Sequence, residues 1–195
     1  MKNERTPALV DMDDVLAGFS EHLMSELRRR DPSFHGGVED ITDWYYSSFS
    51  AQRVSMIREI YNEPGFFAKL PVVTGSIMAY LAMKEEGLNP RVCTAPMPTN
   101  PTCEIDKINW LEEHFVPHVG HGIIDEIYIT ADKHLIDGSV LVDDNPDIKN
   151  SHLAPWKHIV FDRPHNRSVI DKPRIMNWTD GEYMKIVRGV IDRSL

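Results

Sequence analysis

Cysteine is scarce in this chain of 195 residues, with Cys93 and Cys103 the only two. Nothing pairs them as a metal site, and a cytosolic setting disfavours a disulfide, so both read as packing or surface residues. Long apolar runs are missing too. No stretch approaches the roughly 20 apolar residues of a membrane span. The first apolar run, Ala8-Leu9-Val10, is followed at once by acidic residues, which leaves a signal peptide no room. The expected setting is the cytoplasm, with no membrane partner. Positive charge is in deficit: 21 lysines and arginines face 30 acidic residues, for a formal net charge of −9. That balance argues against a nucleic-acid polymer as partner, because neutralising its phosphates needs a basic face. Arg28-Arg29-Arg30 reads as the solvated end of a helix. A small anion is still admissible where local cations offset the field. The nine histidines show no metal-ligand spacing, and no internal repeat or low-complexity linker interrupts the chain.

What is present is ordinary globular material, 42% hydrophobic and 26% charged, long enough for one α/β domain with a modest insertion. Short apolar runs that end in polar or acidic residues recur at Leu9-Val10, Arg91-Val92-Cys93, Ile127-Tyr128-Ile129, Val140-Leu141-Val142 and Ile159-Val160-Phe161. Between them lie segments with helical spacing. Phe19, Leu23, Met24 and Leu27 share one face; so do Ile77, Tyr80, Leu81 and Lys84, with Gly87 as a stop, and Ile105, Ile108, Leu111 and Phe115. Thr179-Asp180-Gly181-Glu182 reads as a capping box before a last helix through Tyr183, Ile186, Val187, Val190 and Ile191. Strands alternating with helices imply a parallel sheet covered on both faces. Residues 32–67 break this rhythm with Trp44, Tyr45, Tyr46, Phe49, Tyr61, Phe66 and Phe67. They read as a small helical cap inserted after the first strand and helix, leaving 1–31 and 68–195 as the core.

In an open parallel sheet, ligands sit beyond the carboxyl ends of the strands. Four of the five expected strands release polar groups there: Asp11 and Asp13, Thr94, Lys133, and Asp143 and Asp144. Carboxylates this close need a cation before they can all be charged. Oxygen-only ligands favour Mg²⁺, and Lys133 supplies a further positive charge. Such a group suits phosphoryl transfer. Asp11 is the candidate nucleophile, Asp13 the acid and base, and Thr94 a donor to a phosphate oxygen.

Each residue taken singly also has a structural reading. Asp11 and Asp13 could belong to a strand-end turn, as could Asp143-Asp144 before Asn145-Pro146. Thr94 could satisfy backbone, Lys133 could be a solvated loop residue, and Phe19, Phe66, Phe67 and Trp110 could be core. The chemical reading rests on all of them arriving in order. That order also opposes a receiver-like phosphoacceptor module, in which the acidic pair precedes the Thr and Lys.

The successive stretches Val10-Asp11-Met12-Asp13-Asp14-Val15-Leu16-Ala17, Cys93-Thr94-Ala95-Pro96, Thr130-Ala131-Asp132-Lys133 and Leu141-Val142-Asp143-Asp144-Asn145-Pro146-Asp147 carry a resemblance. Together they resemble the motifs of the 5′(3′)-deoxyribonucleotidases, a family of the haloacid-dehalogenase-like (HAD) superfamily. Tyr61-Asn62-Glu63-Pro64-Gly65-Phe66-Phe67, Trp156-Lys157-His158 and His165-Asn166 match further family stretches, so the likeness covers nearly the whole chain.

The resemblance implies a HAD-like Rossmannoid fold and Mg²⁺-dependent hydrolysis of deoxynucleoside 5′-monophosphates, pyrimidines foremost. A HAD-type phosphatase for another small phosphomonoester, such as a sugar phosphate, is the alternative. Carried over by position, Asp11 is nucleophile and metal ligand, and Asp13 is acid/base with its carbonyl on the metal. Asp144 is the metal ligand of the acidic pair, supported by Asp143. Thr94, Lys133 and Lys107 hold phosphate, while Phe19, Trp44, Tyr45, Tyr46 and Tyr61 enclose the nucleoside. A homodimer is suggested by the likeness alone. The chain departs from the family at Asp14, where glycine is usual, at Ala95 in place of serine and at Ala131 in place of arginine. The added carboxylate at Asp14 is expected to point away from phosphate, and the two losses bear on substrate preference.

Overall fold

The protein is described by a computed structural model over residues 6–193. Six strands form one sheet: β1 (Ala8–Val10), β2 (Arg91–Thr94), β3 (Tyr128–Ile129), β4 (Val140–Asp143), β5 (Lys157–Phe161) and β6 (Arg174–Ile175). Their order is β3-β2-β1-β4-β5-β6, and every neighbouring pair is parallel. Leu9 lies opposite Arg91 on one side and Leu141 on the other.

Successive side chains of a strand point to opposite faces, and both faces here are covered. Ala8, Val10, Val92, Val140 and Val142 therefore enter one apolar cluster. Leu9, Cys93 and Leu141 enter a second, with Ile148 and Trp156. This is why β1 and β4 are apolar without alternation.

Seven helices complete the described fold: α1 (Phe19–Arg30), α2 (Ala51–Tyr61), α3 (Ser76–Glu85), α4 (Cys103–His114), the one-turn α5 (Val116–Val119) and α6 (Gly122–Asp125), and α7 (Glu182–Asp192). None is long and apolar enough to cross a membrane. Helix α1 buries Leu23, Met24 and Leu27 as its spacing requires, and α7 buries Tyr183, Val187 and Val190.

Helix α3 ends as expected at Gly87. The Leu88 N–H reaches Met83 O at 3.0 Å and the Gly87 N–H reaches Lys84 O at 3.1 Å, with Gly87 at φ +71°. This is the paired closure that satisfies the last carbonyls of a helix.

Three expectations change. The capping box at Thr179 does not form; α7 starts at Glu182, whose N–H is taken by Asp180 Oδ1 at 2.9 Å, while Thr179 Oγ1 bonds Asn177. The buried face of α3 is Ser76, Ala79, Tyr80 and Met83, rotated from the expected stripe. Helix α4 buries Cys103, Asp106, Lys107, Trp110 and Leu111, whereas Ile105 is exposed. Lys107 is fully buried because its ammonium finds partners beneath the helix.

Segment 32–67 contains a 3-10 turn at Val38–Asp40 and helix α2. Ile57 and Ile60 of α2 are buried together with Phe34, Ile41, Phe66 and Phe67, in the same cluster as the sheet. Polar ties add to this. Asn100 Nδ2 donates to Tyr61 O and Glu63 O at 2.9 and 2.8 Å, and Arg167 pairs with Glu39 at 2.6 Å.

Two glycines test the backbone. Gly87 has open space around a built Cβ, so Gly87→Ala should cost only the left-handed penalty, about 1 kcal/mol. Gly75 is also left-handed, at φ +84°, and its Cβ would meet Thr179 Cγ2 at 2.9 Å and Trp178 Cβ at 3.1 Å. Gly75→Ala should add an overpacking cost of about 1–3 kcal/mol. Urea midpoints at constant m-value measure both; equal losses would contradict the close approach at Gly75.

Candidate active site

Strand β1 delivers Asp11, whose N–H still pairs with Val142 O at 2.8 Å. The chain then turns tightly. The Leu16 and Ala17 N–H groups both reach Met12 O at 2.8 Å, and the Asp14 N–H reaches Ala17 O at 2.7 Å. This turn places Asp14 at φ +57°, a left-handed conformation that aspartate tolerates better than most residues.

The Asp14 carboxylate accepts the Ser20 N–H at 2.7 Å and the Ser20 hydroxyl, binding the turn to the start of α1. From the far side Arg163 Nε donates to Asp14 O at 2.7 Å and Nη1 pairs with Glu21 at 2.8 Å. The carboxylate departing from the family pattern thus serves the helix start, yet it also borders the cavity and offers an oxygen within 4.8 Å of Asp144 and His165.

Asp11, Asp143 and Asp144 are buried, and each offers an oxygen within 4.8 Å of the others. Lys133 Nζ stands between two of them, 2.8 Å from Asp11 Oδ1 and 2.6 Å from Asp143 Oδ2. The Asn145 N–H takes Asp143 Oδ1 at 2.9 Å. Asp144 has His165 Nε2 3.1 Å from its Oδ2.

Burial pushes Asp143 up to about 6 against the pull of Lys133, and pushes Asp144 up to about 7 against the His165 hydrogen bond. Burial also opposes the Lys133 ammonium, but Asp11 and Asp143 outweigh it and its pKa is raised. Three carboxylates and one lysine leave unbalanced negative charge in a dry site. The residues present fit a small divalent cation with oxygen ligands.

Asp13 is three-quarters buried, and its Oδ2 accepts from Lys107 Nζ at 2.8 Å. Burial raises its pKa, Lys107 pulls it down and the charge of Asp11 raises it again. Its Oδ1 is buried without a hydrogen-bond partner.

Lys107 itself is fully buried and sends its other bonds to Thr94 Oγ1 at 2.8 Å and Ala95 O at 2.7 Å. Thr94 is equally buried. Neither lines the cavity. Here the two stand behind Asp13, where the three bonds of Lys107 go to Asp13, Thr94 and Ala95.

The cavity in front of these groups holds about 370 Å³, within the range of small-molecule sites. Asp11, Asp13, Lys133, Asp143 and Asp144 line its floor, with Phe19, Ile41, Trp44, Tyr46 and Tyr61 on its walls. Phe19 packs on Tyr61, Phe66 and Phe67 with centroids 5.3–6.2 Å apart, joining wall to core. Tyr45 does not take part: it is 80% exposed and outside the cavity. Beyond the turn at Asp43, whose Oδ1 accepts the Tyr45 N–H at 2.8 Å, Trp44 (44% exposed) and the half-buried Tyr46 border the cavity instead.

His165 and Arg163 are the residues that sequence reasoning left without a place. The one signal for His165 was its position in a family stretch.

Known proteins resemble this chain in sequence and in fold. The profile of the family "5′ nucleotidase, deoxy (Pyrimidine), cytosolic type C protein" matches residues 5–191. The human cytosolic 5′(3′)-deoxyribonucleotidase is 30% identical over 198 residues, spanning 95% of this chain and 96% of its own. The mouse mitochondrial 5′(3′)-deoxyribonucleotidase is 30% identical over 182 residues, spanning 88% and 81%. Among solved structures, a HAD family hydrolase from Deinococcus radiodurans R1 superposes with a TM-score of 0.61 at 10% identity, covering 96% of both chains. At that identity the likeness speaks for the fold.

The raised carboxylates give a pH dependence of stability. Between about pH 4 and 7 the folded state binds more protons than the unfolded one at Asp143 and Asp144. Stability from these groups is present at low pH and lost as pH rises through 6 and 7. In chelator, Tm should therefore fall from pH 5 to 8. Mg²⁺ should reverse most of that fall, since the cation replaces the protons. A Mg²⁺-independent pH profile in a thermal scan would count against a cation among these carboxylates.

Proposed function

Since the chain belongs to the 5′-nucleotidase, deoxy (pyrimidine), cytosolic type C family and is a phosphoric monoester hydrolase with a HAD-like fold, we propose its substrate and chemistry as follows. It hydrolyses deoxynucleoside 5′-monophosphates, pyrimidines foremost, through an aspartyl-phosphate at Asp11, with Mg²⁺ bound. A cytoplasmic setting, like that named for the human cytosolic relative, is part of this reading. One observation carries it. A floor of carboxylates and lysine faces a wall of Phe19, Trp44, Tyr46 and Tyr61 across one cavity, which suits a ligand with a phosphate at one end and a flat ring at the other.

Mg²⁺, when bound, neutralises phosphate charge and so admits an anionic nucleophile. Asp11 and Asp144 would hold it, with the Asp13 carbonyl. The occupation of both Asp143 oxygens, by Lys133 and by the Asn145 N–H, supports Asp144 as the ligand of that pair. Lys133 holds a phosphate oxygen while it orients Asp11.

Asp11 attacks phosphorus, and the phosphorus–oxygen bond to the sugar breaks. Asp13 gives its proton to the departing 5′-oxygen; its raised pKa and shielded setting suit that donation. The same carboxylate then takes a proton from water, which attacks phosphorus and frees Asp11 and inorganic phosphate. Lys107 keeps Asp13 in place, and Thr94 fixes Lys107. Segment 32–67 acts as the cap that brings Trp44, Tyr46 and Tyr61 over the base.

Phosphate release from a panel of deoxynucleotides, ribonucleotides and sugar phosphates tests this, with Mg²⁺ and with chelator. Chelator-sensitive turnover should be highest on a pyrimidine deoxynucleotide, and turnover confined to sugar phosphates would overturn the substrate. Asp11→Asn should lower kcat by about 10³ or more with the fold intact. At saturating Mg²⁺, Trp44→Ala should raise KM roughly three- to tenfold, the worth of one ring contact. An unchanged KM would remove Trp44 from the base platform.

A further inference from the structure

The scheme above gives His165 no task, although it is 7% exposed and touches both halves of the cavity. The residue sits in the 3-10 turn Pro164–Asn166 that follows β5. On one side its Nε2 lies 3.1 Å from Asp144 Oδ2 and 3.3 Å from Asp144 O. On the other its ring meets Trp44 edge-to-face, with centroids 5.3 Å apart and planes at 72°.

The main chain of Asp144 does not depend on this contact. Asn166 Nδ2 donates to Asp144 O and to Phe161 O, both at 2.8 Å, and so ties the turn to the strand ends by itself. What His165 adds is a hold on the Asp144 carboxylate. Trp44 in turn restrains the imidazole. The Arg167–Glu39 pair ties the neighbouring 3-10 turn of segment 32–67 to the same loop.

We infer that His165 is a positioning residue that fixes the Asp144 carboxylate for the divalent cation, and that Trp44 braces it, so that the aromatic wall and the cation site are mechanically joined. The inference rests on the reading of Asp144 as a cation ligand. A carboxylate free to rotate must lose that freedom when it coordinates. One already held by a hydrogen bond has less to lose, which is how partners behind a ligand strengthen metal binding. With Trp44 removed, the imidazole regains rotational freedom and its hold loosens. The aromatic wall thereby acts on cation affinity without touching the cation.

The test measures Mg²⁺ affinity without nucleotide, from calorimetric titration of the full chain and from the Mg²⁺-dependent rise in Tm. His165→Ala should weaken Mg²⁺ binding about tenfold. His165→Gln can donate from nearly the same place as Nε2 and should recover most of that loss. Trp44→Ala should weaken binding a few-fold alone and add nothing in the His165→Ala background, the mark of two residues acting on one path.

Equal affinity in wild type and His165→Ala overturns the positioning role and leaves the nucleotidase reading intact. Additive effects of the two alanine variants overturn the brace. Failure of the wild type to bind Mg²⁺ overturns both the Asp144 assignment and the inference. If His165→Ala does not fold, unchanged affinity in Trp44→Ala is enough to reject the coupling.

Discussion

Five aspartates, Asp11, Asp13, Asp14, Asp143 and Asp144, meet at the carboxyl end of the sheet, four of them almost wholly buried. Carboxylates cannot gather in low dielectric unless each has a partner, and the partners come from distant parts of the chain. Lys107 of α4 serves Asp13, and Lys133 after β3 serves Asp11 and Asp143. His165 after β5 serves Asp144. Ser20 at the start of α1 serves Asp14. Every strand from β1 to β5 thus has a charged or polar stake in one cluster. Moving any strand by one residue would strand a buried charge as well as invert its apolar faces.

The same requirement explains features that look like local oddities. A fully buried lysine on α4 would be costly alone, yet Lys107 has three acceptors and a ring of Phe67 5.2 Å from its ammonium. The left-handed Asp14 would be better as glycine on steric grounds. It is held because its carboxylate caps the first turn of α1 and its carbonyl receives Arg163. The turn after β1 is therefore fixed from both sides, which gives Asp11 a rigid support. The balance still leaves Asp143 and Asp144 with raised pKa values. A fold that satisfied every carboxylate internally would have no need of a cation and no charge with which to bind one.

How much of this the chain disclosed beforehand followed physical lines. The strands β1 to β5 each carry a short apolar run that the sequence shows, and burial on both faces makes β1 wholly apolar. Strand β6 carries none, since Arg174–Ile175 is two residues long and half charged. The faces of α3 and α4 depart from apolar spacing in different ways: Lys84, in the expected stripe of α3, is exposed, whereas on α4 Ile105 faces outward and Lys107 is buried. In the site, the aspartates and Lys133 could be found from their place at strand ends. Tyr45 could not be told from Trp44 and Tyr46, because adjacent aromatics read alike until a turn sends one outward. His165 was hidden differently. A histidine that serves another residue's carboxylate leaves no spacing motif, because its partner is 21 positions away.

A shared sheet does not decide what such a site acts on. On the proposed reading the strand-end aspartates and lysine deal with the phosphate end of a substrate, which a sugar phosphate and a nucleotide present alike. The discriminating surface is the wall contributed by α1 and segment 32–67. Trp44, Tyr46, Tyr61 and Phe19 offer ring faces and edges, a setting that on the proposed reading rewards a planar base more than a polyhydroxylated chain. Because Trp44 also leans on His165, and His165 on Asp144, the aromatic wall of the cavity is in contact with its carboxylate floor. On the proposed reading, substrate choice and cation placement would then depend on one packed row of side chains rather than on two independent sites.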